Sequence, residues 1–451
     1  MKLAVLLVLL GCIAAQAADQ RINKAIRNIE DRIPDMRNIP IDSIDIKQPP
    51  IEMQMPEQAL EDVQQRLKEL DVAALKTLDP LQNLPKELPI MDKAGQTVLI
   101  EKEVEDGWRA VANQWLLMLD NQDIDQLNKV NAVIIKKTEL QSLDMALVQF
   151  RVPNEFDSLS VLKKHLPAEW IKQLGRNHIY EANSDPAGEQ LVVQEEGLKI
   201  QKAVCGKSVK VGLIDTGVEE SHQAFSKASI QAKNFMSEDI SVPTAHGTAV
   251  AGLLIGQHDE LVPLLPNATL YAASVFYPRN EYSQGAALIN LVQALDWLVL
   301  NNVSVINMSL TGPENPILQQ AIERTGDKGT MIVAAVGNEG PASQPLYPAA
   351  YPEVIGATAV DKKQQIYRWA NQGDYVDFAA LGVSVLTARA SNQLGRESGT
   401  SIAAPVISSF VACYANGLSE KENVVTELNK QVIDLGRAGK DKVFGNGLLH
   451  P

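Results

Sequence analysis

Cysteine is scarce in this chain: 3 residues in 451. That number cannot build the disulfide framework on which small secreted scaffolds depend. Positive charge is also in deficit. With 41 Lys and Arg against 55 Asp and Glu, the formal charge is −14. Binding to nucleic acid needs a face rich in Lys and Arg, so nucleic acid is excluded as a partner. Long apolar runs are missing too. The run from Leu3 to Leu10 is too short to span a bilayer, and no other stretch is apolar enough for a transmembrane helix. What is present is a 45% hydrophobic fraction, ordinary for a globular protein with a real core, over a length that accommodates two or three domains.

The first residues read MKLAVLLVLLGCIAAQAADQ. One basic residue, an apolar run and the small-x-small site Ala15-Gln16-Ala17 follow the grammar of a secretory signal peptide, residues 1–17. Leu9-Leu10-Gly11-Cys12 also resembles a lipobox, in which a lipidated Cys12 would attach the protein to a membrane. Either way the expected location is outside the cytoplasm: secreted, periplasmic or at the cell surface. Cys205 and Cys413 then remain. They would be able to pair in an oxidising compartment; we read them rather as two separate small buried hydrophobes.

Residues 18–105 read as an N-terminal extension, partly helical or disordered. Its first part is rich in Pro and charge, and 57–77 has apolar residues at helical spacing. Between 109 and 182, strand-like runs at 114–119, 132–136 and 145–152 alternate with short helical segments at 121–131 and 158–167. A last strand lies at 177–182. The order is βαββαβ, a small split α/β unit. From about 200 onward, near-continuous apolar runs (VKVGLIDTG, ATLYAASVF, VSVINMSL, TMIVAAVGNEG) alternate with helical segments. That predicts a parallel sheet flanked by helices on both faces. Polar residues just past the carboxyl ends of such strands line the cleft, and Asp215, Ser309 and Asn338 stand there.

Hydrolysis by a serine needs a base, a carboxylate to orient the base, and donors for the oxyanion. Asp215 lies in LIDTGV, where small neighbours leave room for another side chain at the carboxylate. A DTG also occurs in aspartic proteases, but those need two, and the chain has no second DTG or DSG. His246 lies in AHGTAVAG, a small-faced helix start, and Asn338 in the Gly-flanked turn AVGNEG. Ser401 lies in GTSIAAP, where a helix N-terminus favours negative charge and Pro405 costs no hydrogen bond in the first turn. Taken singly, each also suits a plain turn, cap or packing role.

Together the blocks IDTGV, HGTAVAG, AVGNEG and GTSIAAP, in this order, resemble the subtilisin-like serine proteases, the subtilases. The resemblance covers 193–451, including the closing FGNGLLHP. Ile402 stands where Met is usual. It implies an α/β subtilisin-like domain with Asp215, His246 and Ser401 as the triad and Asn338 as an oxyanion donor. The activity implied is a secreted endopeptidase acting on polypeptides through an acyl-enzyme. The unit at 106–183 resembles the ferredoxin-like I9 propeptide. That implies an autoprocessed zymogen inhibited by its own prodomain, with NHIYEAN in the groove and cleavage within 183–193. A catalytically locked binding protein of the same fold is the alternative.

The resemblance also places substrate-binding residues. Ser309, Leu310, Thr311 and Gly312 match the strand that pairs with substrate and walls its main side-chain pocket. Leu346 and Ala349 match the pocket floor. Thr311, Leu346 and Ala349 add side chains where the family often has Gly, so a shallow pocket for small or medium apolar residues is expected. No cofactor is required. Calcium is possible, but the usual ligand loop is not recognisable in 257–270, which offers only Asp259, Glu260 and Asn267. His222 and His258 read as surface or packing residues rather than metal ligands.

Overall fold

The structure, a computed structural model, describes residues 84–118, 124–182, 199–258, 260–280, 283–414, 417–418 and 420–451. The signal peptide and lipobox, the helix read at 57–77, the processing window 183–193 and Asp259 lie outside these residues.

The first layer is antiparallel. It comprises β1 (Glu87–Met91), β2 (Thr97–Glu103), β3 (Arg109–Met118), β4 (Val133–Leu140), β5 (Met145–Arg151), α1 (Leu159–His165), α2 (Ala168–Ile171) and β6 (Leu174–Ala182). Strands β4, β5, β3 and β6 lie side by side in that order, the arrangement of a split βαββαβ unit. Two details differ from the sequence reading. The first helical segment is a 3-10 turn, Asp125–Val130, because only Leu127 and Val130 of it bury a side chain. And 87–103, read as part of an irregular extension, is the hairpin β1–β2, paired to β3 through Glu101↔Val111. Its alternation is weak because Val98 and Ile100 face outward, so a period of two was hard to see. Trp115, Leu117, Phe150, Leu162 and Trp170 form this layer's core.

The larger layer follows: β7 (Lys210–Asp215), β8 (Ser229–Asn234), α3 (Ala245–Ile255), β9 (Thr269–Ser274), β10 (Tyr277–Pro278), β11 (Gln284–Ala287), α4 (Leu288–Leu300), β12 (Val305–Met308), β13 (Leu310–Thr311), α5 (Pro316–Asp327), β14 (Met331–Ala335), β15 (Val354–Val360), β16 (Phe378–Leu381), β17 (Val385–Arg389), β18 (Gln393–Glu397), α6 (Thr400–Tyr414), α7 (Lys421–Leu428) and β19 (Leu448–Leu449). Eight of these strands make one sheet, β19-β16-β15-β14-β12-β7-β9-β8. Every pair in it is parallel. The apolar runs are continuous because both faces are covered. Alternate residues part to opposite sides: Ile214, Ile306 and Met308 pack with α4 and α5, whereas Val211, Leu213 and Val305 pack with α3 and α6. Helices α3 and α6 are buried along most of their length, as helices apolar all round must be.

Cys205 and Cys413 are bonded to each other, which corrects the reading of two separate thiols. The last turn of α6 carries Cys413 to a Cα–Cα distance of 6.1 Å from Cys205, across a separation of 208 residues. No local pattern reports such a contact. Lys207 Nζ also donates to the Cys413 carbonyl. Among the described residues, no helix is long and apolar enough to cross a membrane.

The two layers meet along β6. Ile179, Tyr180 and Glu181 pair with Ala287, Ala286 and Gly285 of β11 on one side. Ala182 and Glu181 pair with Leu310 and Thr311 of β13 on the other. Around this seam each layer satisfies the other's free backbone groups. The Ile289 N–H at the start of α4 donates to Asn177 Oδ1 at 3.1 Å. Asp296 of α4 accepts from the Ser142 and Leu143 amides at 2.8 and 3.2 Å. Asn315, the N-cap of α5, donates to the Arg176 carbonyl at 3.0 Å. The bonds at Ile289 and Asn315 meet buried groups that would otherwise cost about 1–3 kcal/mol unpaired.

Candidate active site

Asp215 ends β7 and is fully buried. A buried carboxylate needs donors, and it has two sets. The Thr216 N–H donates to Oδ1 at 2.7 Å, and His246 Nδ1 lies 2.8 Å from Oδ1 and 3.0 Å from Oδ2. His246 sits in the first turn of α3. What brings α3 so close is Gly247. A Cβ there would stand 2.4 Å from the Thr216 carbonyl oxygen and 2.6 Å from that of Gly217, and the Gly247 N–H donates to Thr216 Oγ1 at 2.7 Å. Burial disfavours the charged imidazole, but the charge and hydrogen bond of Asp215 outweigh it, so the His246 pKa rises above its ordinary value. His246 Nε2 is buried and has no hydrogen-bond partner among the described residues.

Ser401 is the second residue of α6 and is 1% exposed. Its carbonyl accepts from Ser309 Oγ at 2.9 Å. Ser309 Oγ in turn accepts from Asn307 Nδ2 at 2.9 Å, and Asn307 Oδ1 accepts from Ser408 Oγ at 3.0 Å. The end of β12 therefore clamps the start of α6. Asn338, just past β14, accepts from the Thr400 N–H at 3.0 Å and from Thr400 Oγ1 at 2.9 Å through its Oδ1. Asp215, Asn338 and the Ser309 clamp all stand at the carboxyl ends of adjacent parallel strands, as the cleft rule requires.

The six residues assigned to substrate binding divide. Leu310 and Thr311 are the strand β13 that pairs with β6. Gly312 lies beneath the Tyr180 ring, where a Cβ would come within 2.4 Å of it, and Tyr180 OH donates to the Pro313 carbonyl at 2.9 Å. Tyr180 is thus fully enclosed beside β13. Ser309 stands just before β13 and gives its hydroxyl to the Ser401 carbonyl. Leu346 packs against Gly337, next to Asn338. Ala349 is fully buried within the core on the α4–α5 side of the sheet and lines no open surface. Of the calcium candidates, Glu260 pairs with Lys199 at 2.9 Å and Asn267 donates to the Gly206 carbonyl. His222 is a packing residue, its ring nitrogens bonded to the Gln393 carbonyl and the Ala224 N–H. Among the described residues no group of three or more His, Cys, Asp and Glu comes together as a metal site.

Thr216 and Asn307 lie inside motifs read from the sequence, Thr216 as a small neighbour of Asp215, but their bonds to Gly247 and Ser309 are visible only in the structure. Arg279 lies in YPRNEYSQG, which resembles the other edge of the cleft, and its ion pairs with Glu101 and Glu181 are likewise a matter of tertiary structure.

A buried carboxylate gripping an imidazole, and a serine at a helix start clamped from the neighbouring strand, are the parts of a serine hydrolase on a parallel α/β sheet. The Subtilase family (Peptidase S8) matches residues 206–447, and the chain belongs to it; its class is that of the subtilisin-like serine endopeptidases. It is similar to the minor extracellular protease Epr of Bacillus subtilis strain 168, with 31% identity over 249 residues, 54% of this chain and 38% of that protein. The chain therefore spans about two fifths of Epr. It is also similar to the major intracellular serine protease of the same strain, 31% identical over 283 residues, covering 56% of this chain and 87% of that one. Subtilisin DY of Bacillus licheniformis is 32% identical over 269 residues, 57% of this chain and 92% of its own length.

Proposed function

We propose that the protein is a secreted serine endopeptidase made as a self-inhibited zymogen, with Asp215, His246 and Ser401 as its triad. The observation that carries this is the Asp215–His246 pair, bonded at 2.8 Å, at the strand ends that also clamp Ser401. Ser401 Oγ attacks the peptide carbonyl while His246 Nε2 takes its proton. The carbonyl oxygen becomes an oxyanion, held by the Asn338 amide and the Ser401 N–H. His246 then gives the proton to the leaving amine, leaving an acyl-enzyme. Water, deprotonated by the same imidazole, releases the acid. Asp215 keeps the imidazole in the right tautomer and stabilises its cation. For subtilisin itself, loss of one oxyanion donor costs about 10²–10³ in rate, and we carry that magnitude over to Asn338. The reaction as written needs no cofactor.

The unit read at 106–183, to which the hairpin β1–β2 is added by its pairing with β3, acts as the prodomain in this reading. Its last strand lies between β11 and β13 as an extended substrate would, with main-chain pairing for affinity and Tyr180 in a side-chain pocket. Processing then falls in 183–193. The signal-like N-terminus supports secretion, as does the Cys205–Cys413 bond, which persists in an oxidising compartment. The same tight seam also suits a permanently covered binding protein. Expression of the full chain separates the two. An active protease processes itself, digests casein and labels with a fluorophosphonate at Ser401, and Ser401→Ala loses all three while remaining folded. A parent protein that never labels, or a Ser401→Ala variant that still digests casein, refutes the assignment.

A further inference from the structure

Arg279, between β10 and β11, is buried at the edge of the groove that holds β6. Its Nε donates to Glu101 Oε1 at 2.8 Å and its Nη1 to Glu181 Oε1 at 2.6 Å. Its Nη2 is buried and has no partner among the described residues. Glu101, fully buried, also accepts from Tyr277 OH at 2.8 Å and Arg109 Nε at 2.9 Å. The site is shaped for this cluster. A Cβ on Gly285 of β11 would come within 2.8 Å of Arg279 Nε and 2.9 Å of Glu101 Oε1.

The charges are shared unevenly between the layers. Glu101, Arg109 and Glu181 all precede the processing window, whereas Arg279 follows it. With the first layer present, two arginines meet two carboxylates. Once that layer leaves, Arg279 keeps only Tyr277 of this cluster, and its guanidinium stands at the groove edge without the two carboxylates it now holds. A guanidinium with two donor edges is suited to a carboxylate. An extended peptide taking the register of β6 places one side chain where Glu181 now lies, opposite Thr311. Alternate side chains point to opposite faces, so this residue faces Arg279 while its neighbour enters the Tyr180 pocket.

We infer that Arg279 is a specificity-determining residue that selects Asp or Glu at the substrate position opposite Thr311. The inference rests on the proposed reading of the β6 groove as the substrate cleft.

The test uses the processed protein obtained from the full chain, and internally quenched peptides of the sequence 177–188 with Glu, Gln or Lys at position 181. Glu should exceed Gln by about tenfold in kcat/KM, about 1.4 kcal/mol, with Lys lower again. In Arg279→Gln the Glu-to-Gln ratio should fall to about one. Mapping of cut sites in a digest of denatured proteins gives a second readout that needs no chosen peptide. Acidic residues should be enriched at one fixed position upstream of the cuts. A parent ratio near one, an absence of that enrichment, or a ratio unchanged in Arg279→Gln overturns the inference. If Arg279→Gln does not mature, the parent's peptide series and cut-site map decide alone. Failure of the underlying reading looks different: no fluorophosphonate labelling and no casein digestion by the parent.

Discussion

Replacing Gly247 by Ala should separate rate from stability. The new Cβ would stand 2.4 Å from the Thr216 carbonyl oxygen, while ordinary contact begins at 3.4 Å. The difference, 3.4 − 2.4 = 1.0 Å, must come from movement, and both nearest atoms are backbone oxygens that cannot rotate away. Helix α3 must therefore retreat from the end of β7. Overpacking of this kind costs about 1–3 kcal/mol. The loss of unfolded-state freedom on changing Gly to Ala returns about 0.4–1 kcal/mol. A net loss of about 1–2 kcal/mol is within what a folded domain survives. The effect on rate is larger, because His246 is the next residue and shares the displacement. A misplacement of 1 Å costs about 10² in rate. Calorimetry and kcat/KM on a peptide substrate measure the two separately. Gly326→Ala, in α5 with no atom within 4 Å of its Cβ position, is the control. It should gain up to about 1 kcal/mol from helix propensity and leave the rate unchanged. A Gly247→Ala variant with the parental rate would refute the claim that this glycine sets the Asp215–His246 distance.

Two further outcomes follow from the same structure. His246 must be neutral to act as a base, and burial and Asp215 together leave its pKa above 6.5. Activity should therefore fall as pH drops through a value above 6.5. Asp215→Asn should move that limb to lower pH and reduce kcat by about 10⁴; an unmoved acid limb would show that Asp215 does not govern the imidazole. Loss of the disulfide in Cys205→Ser/Cys413→Ser should lower stability by up to about 5 kcal/mol, the loop entropy for a separation of 208 residues. Denaturant titration measures it, and an unchanged midpoint would mean that the crosslink does not constrain the unfolded chain.

Four strands of the parallel sheet, β7, β9, β12 and β14, and the helical segments of α4 and α5 were legible because each signal is local. Strands covered on both faces must be apolar throughout, and the turns after β7 and β14 must be small. The motifs around Asp215, His246, Asn338 and Ser401 were legible for the same reason: close approach of backbone and side chain demands Gly, Ala and Thr at adjacent positions. The hairpin β1–β2 was not legible, since its outward Val98 and Ile100 blur the alternation.

What the amino-acid order determined by itself, then, is whatever neighbouring residues can enforce: strand, turn, helix start, and the kinds of side chain placed at strand ends. Tertiary structure alone decided which distant groups meet. Cys205 found Cys413, and Ser309 gave its hydroxyl to the Ser401 carbonyl. Arg279 gathered Glu101 and Glu181 from 178 and 98 residues away. The meetings of polar and charged groups depend on a buried group needing a partner, and that need carries no signature in the local sequence.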